Sequence, residues 1–152
     1  MRKPIALALL VPLLAAASGC GDSKSSPSAK RAGPTTTVKV MRTRYGRILV
    51  DGRGRALYLF TREGTARSRC YGACAKAWPV FFSRGPVRAG SGANARLVGT
   101  TGRRDGRRQV TYNGHPLYYY VTDRAPGQVT CQNVAEYGGT WLVVAPSGTA
   151  IR

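Results

Sequence analysis

Acidic side chains are scarce in this 152-residue sequence: six Asp and Glu stand against 24 Lys and Arg, a formal net charge of +18. So few carboxylates leave little for chemistry that needs two of them held across a bond, as glycoside hydrolysis does. Glu63 and Asp123 are the only two at matching positions in the chain, and with Arg62 and Arg124 beside them they read as strand-end or turn residues. A single histidine, His115, and four cysteines give neither the spacing of a zinc site nor a C-x-x-C-H haem attachment. The G-x-S-x-G elbow and the phosphate loop are absent. The longest apolar run, residues 5–17, contains Pro12 and falls short of the ~20 residues a membrane helix needs. No catalytic constellation is left, and the expectation is a protein that is not an enzyme and carries no cofactor.

What is present begins with an address. Arg2 and Lys3, the apolar run and the small residues "ASG" before Cys20 have the form of a secretory signal peptide over residues 1–19. A cysteine at that point resembles the bacterial lipobox, which makes Cys20 the diacylated first residue of the mature chain. Two acyl chains anchor stably where one binds only marginally. Residues 20–37, "CGDSKSSPSAKRAGPTTT", are rich in Ser, Thr, Pro and Lys with little to bury, and read as a disordered tether. Residues 38–152 are then one domain. The placement expected is the outer face of the bacterial cell membrane, held by lipid.

The leader carries two basic residues and no acid, so its removal leaves a net charge of +16. In a cytoplasmic protein that surplus would suggest nucleic acid. Outside the membrane the polyanions at hand are lipid headgroups, phosphate-bearing wall polymers and acidic polysaccharide, and no nucleic-acid partner is expected. The densest cluster, "GRRDGRR" at residues 102–108, contains an Asp-Gly turn signal and reads as an exposed hairpin tip, making Arg103, Arg104, Arg107 and Arg108 candidates for polyanion contact.

The chain also repeats itself. "RGRALYLFTRE" is followed sixty residues later by "NGHPLYYYVTD", and Gly54, Tyr58, Phe60, Glu63, Cys70 and Trp78 fall on Gly114, Tyr118, Tyr120, Asp123, Cys131 and Trp141. Spacing is the same from the glycine to the acid and slips by one residue at the cysteine and by three at the tryptophan. Two units, at about residues 44–82 and 108–146, are indicated. Each opens on a turn between apolar runs and reads as a β-hairpin, with Asn113-Gly114 suited to a type I′ turn. In an extended chain Tyr58 and Phe60 share one face and Leu57 and Leu59 the other, so both faces are apolar and the strand is interior. A helical turn or two is expected around residues 73–77, ended by Pro79, a strand at "TWLVV", and a further hairpin around the basic tip. The fold class is mostly β, a small barrel or sandwich of two hairpin-based repeats with little helix. One unit buries too little to repay its ordering entropy, and two share a core.

These residues resemble a family of predicted bacterial lipoproteins with a Yx(FWY)xxD motif, a secreted repeat of unknown function. "YYYVTD" (residues 118–123) fits the motif in full. "YLFTRE" (residues 58–63) fits except that Glu63 replaces Asp, and "C-x3-C-x3-W-P" (residues 70–79) resembles a further family segment, with Val80 where a second proline is typical. The resemblance implies envelope placement and duplication, not a reaction. It also implies a Cys70–Cys74 disulfide with Cys131 free. The repeat alignment supplies a rival, Cys70 with Cys131 across a pseudo-twofold axis. The function expected is a lipid-anchored binding or assembly module, with an envelope polymer or another envelope protein as partner. The alternatives are a polyanion-binding module and a thiol-based metal or electron-transfer module, using Cys70, Cys74, Cys131 and His115, since soft thiolates suit Cu(I).

Overall fold

Nine short strands, one five-residue helix and a 3-10 turn make up the fold, in a computed structural model that describes residues 34–65 and 67–152. The leader, Cys20 and most of the tether lie outside the described residues. Strand β1 (Thr36–Thr43) begins two residues inside the span read as tether. It pairs antiparallel with β2 (Gly46–Asp51), which buries Ile48, Leu49 and Val50. Its other edge pairs parallel with the short strand Val87–Ala89.

The two expected hairpins form at their turns and then part. Asn113 and Gly114 both take positive φ, 50° and 77°, as a type I′ turn demands. That turn pairs Tyr112 with His115 and Thr111 with Pro116, joining Arg108–Tyr112 to His115–Pro116. In the first repeat the Asp51 carboxylate closes the turn, accepting from the backbone N–H of Arg53 and Arg55 at 2.8 and 2.9 Å. Beyond a bridge between Val50 and Ala56 the chain leaves β2 altogether.

What it joins is the other repeat. Tyr58–Phe60 pairs antiparallel with Gly139–Val143, so that the first copy's motif strand lies beside the second copy's tryptophan strand, and Val134–Glu136 covers the far edge. A third sheet holds Val98–Gly102 against Arg108–Tyr112, around the basic tip. Three three-stranded sheets result, and none closes into a barrel. Helix α1, Ala73–Ala77, occupies the residues expected of it and stops before Pro79.

The period-two pattern of the motif strands divides the core in two. On one side Tyr58, Phe60, Trp78, Tyr118 and Trp141 pack together, and on the other Leu57, Leu59, Leu117, Leu142 and Val110. Three rings of the first group and the half-buried Tyr120 form a column. Phe60 stacks on Trp141 at 4.1 Å, Trp141 stacks on Trp78 at 4.1 Å and 2°, and Tyr120 lies against Trp78 at 4.6 Å, tilted by 39°. Each tryptophan is thus capped by the third motif residue of the opposite repeat. The column is the largest block of buried aromatic surface, so Trp141→Ala should lower unfolding free energy by about 3–5 kcal/mol. Truncating the exposed Tyr137 should change it by less than about 0.5 kcal/mol, and denaturant unfolding of both variants checks the contrast.

Candidate functional site

The repeated motif residues meet at one place. Tyr58 and Tyr118 face each other across an antiparallel bridge in which each N–H donates to the other's carbonyl, at 2.9 and 3.0 Å. The bridge relates the two copies as a local twofold axis would. Their phenols then cross: Tyr118 Oη donates to Glu63 Oε1 at 2.6 Å, and Tyr58 Oη donates to Asp123 Oδ2. Both tyrosines are fully buried, Glu63 is 2% exposed and Asp123 0%.

Each acid is tied in turn to its own repeat. Glu63 Oε1 accepts from the backbone N–H of Arg69 and Cys70, at 2.6 and 3.1 Å. Asp123 Oδ1 accepts from the N–H and hydroxyl of Thr130, at 2.9 and 2.6 Å. Arg69 and Thr130 are the residues before the equivalent cysteines Cys70 and Cys131, so the slip in spacing leaves the tie intact. The strand-end reading of the acids is correct as to position but omits their main role. They fasten the loop of one repeat to the tyrosine of the other.

Burial makes this clasp one-sided in its titration. Desolvation, then the neighbouring carboxylates and their hydrogen bonds, push both phenols well above the ordinary tyrosine range, so they remain donors at any ordinary pH. Desolvation also raises Glu63, against the lowering effect of its hydrogen bonds and of Arg103, and its Oε2 is buried without a partner. The other three acids among the described residues also have hydrogen-bond partners. Asp51 Oδ2 accepts from Tyr119 at 3.0 Å beside Arg55, Glu136 accepts from Trp78 Nε1 at 3.0 Å, and Asp105 is held low by its bond to Arg107.

The sulfurs do not converge. Cys70 and Cys74 are bonded to each other, which settles the pairing in favour of the local link, and Cys131 is a free, buried thiol raised by desolvation. Among the described residues no group of three or more His, Cys, Asp or Glu lies close enough to hold a metal. His115 is half-buried, not exposed as a turn position suggests, and its Nδ1 has no partner.

The basic tip also departs from expectation. Arg103 is only 7% exposed. Its Nη1 donates to Gln109 Oε1 and its Nη2 to the Cys70 carbonyl, each at 2.7 Å. Burying a guanidinium next to neutral acceptors fixes the tip against the Cys70 loop. Arg107 pairs with Asp105 at 2.7 Å and Arg108 bonds to Thr100, which leaves Arg104 the exposed tip arginine whose guanidinium rests on a ring, that of Tyr71, and on no acid or hydroxyl. Arg62, Arg67, Arg69 and Tyr71, not singled out from sequence, stand beside it around a cavity of about 580 Å³. The only sequence signal for them is the clustering of three arginines within eight residues.

The fold and this crossed bonding define a tandem-repeat β domain whose motif residues serve its own assembly. Residues 39–81 and 99–145, more than half of the chain, match a family described as a secreted repeat of unknown function, and the chain belongs to that family. Its two matched segments coincide with the two repeats, and the family implies an extracellular or envelope location. No curated protein and no solved structure matches the chain.

Two measurements probe the clasp. Tyr118→Phe should cost about 1–3 kcal/mol, the range for leaving a buried polar group short of its partner, with far-UV circular dichroism unchanged. The second uses pH. Because the folded-state value of Glu63 lies above its ordinary 4.5, the native protein keeps a proton there that the unfolded chain releases. That stabilisation is complete below 4.5 and is lost as pH rises through the raised value. Melting temperature against pH should therefore rise for Glu63→Gln relative to the parent above pH 4.5, and parallel curves would contradict the sign.

Proposed function

We propose that this protein is a lipid-anchored, non-enzymatic envelope module that holds an anionic partner through its arginines. One observation carries the reading: every acid among the described residues is spent on an internal bond, three of them buried, while most arginines face solvent. A surface so short of free carboxylates cannot neutralise itself and attracts polyanions at a distance of several ångströms.

The anchor is Cys20, from the lipobox-like sequence before it. Among the described residues no helix is long and apolar enough to cross a membrane, so attachment in this reading rests on acyl chains. The metal and electron-transfer alternative receives no support from the arrangement of Cys131, His115 and the closed Cys70–Cys74 pair.

Cys20→Ser should release the protein from cells into the medium and abolish incorporation of a labelled palmitate analogue. The parent chain should bind isolated cell wall with an affinity that falls steeply between about 50 mM and about 200 mM salt. Retention insensitive to salt would refute the electrostatic reading.

A further inference from the structure

The arginine-lined cavity is a built feature, not a chance crowding of long side chains. Five guanidinium groups, those of Arg62, Arg67, Arg69, Arg103 and Arg104, line it together with Tyr71, and no carboxylate does. Among the described residues none of Arg62, Arg67, Arg69 and Arg104 has a carboxylate within 4.0 Å. Arg103 stands at the back, immobilised by Gln109 and the Cys70 carbonyl, with the Asp105 carboxylate 3.9 Å from its buried Nε. Tyr71 lies between Arg103 and Arg104, each guanidinium 4.1 Å from the ring centre, and its hydroxyl accepts from the Arg104 N–H at 3.3 Å. The Cys70–Cys74 bond pins the backbone that carries the ring. Arg62 Nη1 donates to the Tyr137 carbonyl at 3.1 Å, which holds that side chain to its wall.

Like charges gathered in one cavity repel each other, and the fold opposes that repulsion by fixing three of them with hydrogen bonds and stacking. We propose that this cavity binds a phosphodiester group of an anionic polymer, an inference that rests on the anion-facing function above and gives it a location. Guanidiniums arrayed on several walls suit a tetrahedral group, which offers oxygens in several directions, better than a planar carboxylate. The concavity favours a threaded polymer over a bilayer. Surface helices and loops that enter headgroups present apolar side chains, and the exposed large apolar residues, Val121 and Tyr137, do not line this cavity.

The test uses the full chain carrying Cys20→Ser, so that no acyl chain contributes. Binding is measured to poly(glycerol phosphate), to polyglutamate of matched length, and to phosphatidylglycerol vesicles, across a salt series. Arg67→Gln with Arg104→Gln removes two exposed cavity arginines and spares Arg103. Arg42→Gln with Arg47→Gln removes two exposed arginines elsewhere and serves as control. The cavity pair should weaken poly(glycerol phosphate) binding roughly tenfold or more and reduce the salt slope by about two, and the control pair should do less. Single Arg67→Gln gives the same comparison should the pair melt early. Equal losses in the two pairs would overturn the cavity as a site and leave the anion-facing reading standing. Polyglutamate bound as well as the phosphate polymer, or vesicles bound in preference to it, would overturn the phosphodiester assignment. A parent chain that binds none of the three would overturn both readings.

Discussion

Two buried carboxylates, each bonded to a tyrosine of the other repeat, are the constraint on which the rest of this domain depends. An ionisable group at 0–2% exposure is costly unless it is hydrogen-bonded, and here the bonds fall on Oε1 of Glu63 and on both oxygens of Asp123. Neither acid finds enough donors in its own copy. Glu63 has two backbone N–H groups of its own loop and needs Tyr118, and Asp123 has Thr130 and needs Tyr58. The copies must therefore dock in one orientation before either loop is satisfied. Hydrophobic burial brings the halves together without direction, and the crossed bonds choose the register.

The aromatic column obeys the same exchange. Phe60 and Tyr120 cap the tryptophan of the opposite repeat, and the two tryptophans meet at the centre, 4.1 Å apart. Leucines on the reverse face of the same strands form the second core. A three-residue motif strand, Tyr58–Phe60, thereby contributes to both cores, to the central bridge and to the clasp.

Much of this could be read from the sequence, and what could not has a physical reason. Duplication, the buried strand Tyr58–Phe60, the helix at residues 73–77 and the Asn113-Gly114 turn are all set by local pattern, and the structure has each of them, whereas the second copy's segment at Tyr118 makes only single bridges and ends exposed at Val121. The hairpins were legible only as turns, because hydrophobic period fixes which face is buried but not which strand lies alongside. Leu57 and Leu117 lead their strands away from the turn and into the opposite repeat. The pairing of each acid with a distant tyrosine left no local trace, since the residues it joins are 55 and 65 positions apart. Arg103 misleads for a related reason. It sits in a run that is otherwise solvent-facing, and its acceptors, Gln109 and the Cys70 carbonyl, become neighbours only when the tip folds back on the disulfide loop.

The crossed wiring has a bearing on ancestry. A single unit of this type cannot satisfy its own buried acid, but two such units on separate chains can do so with the same bonds, and that arrangement has the self-complementary form of a symmetric dimer. In the present chain the two units are joined and make those contacts internally. On one chain the halves differ even where they touch: the longer Glu63 stands opposite Tyr118 where Asp123 stands opposite Tyr58, and each bond couples side chains encoded 55 or 65 codons apart.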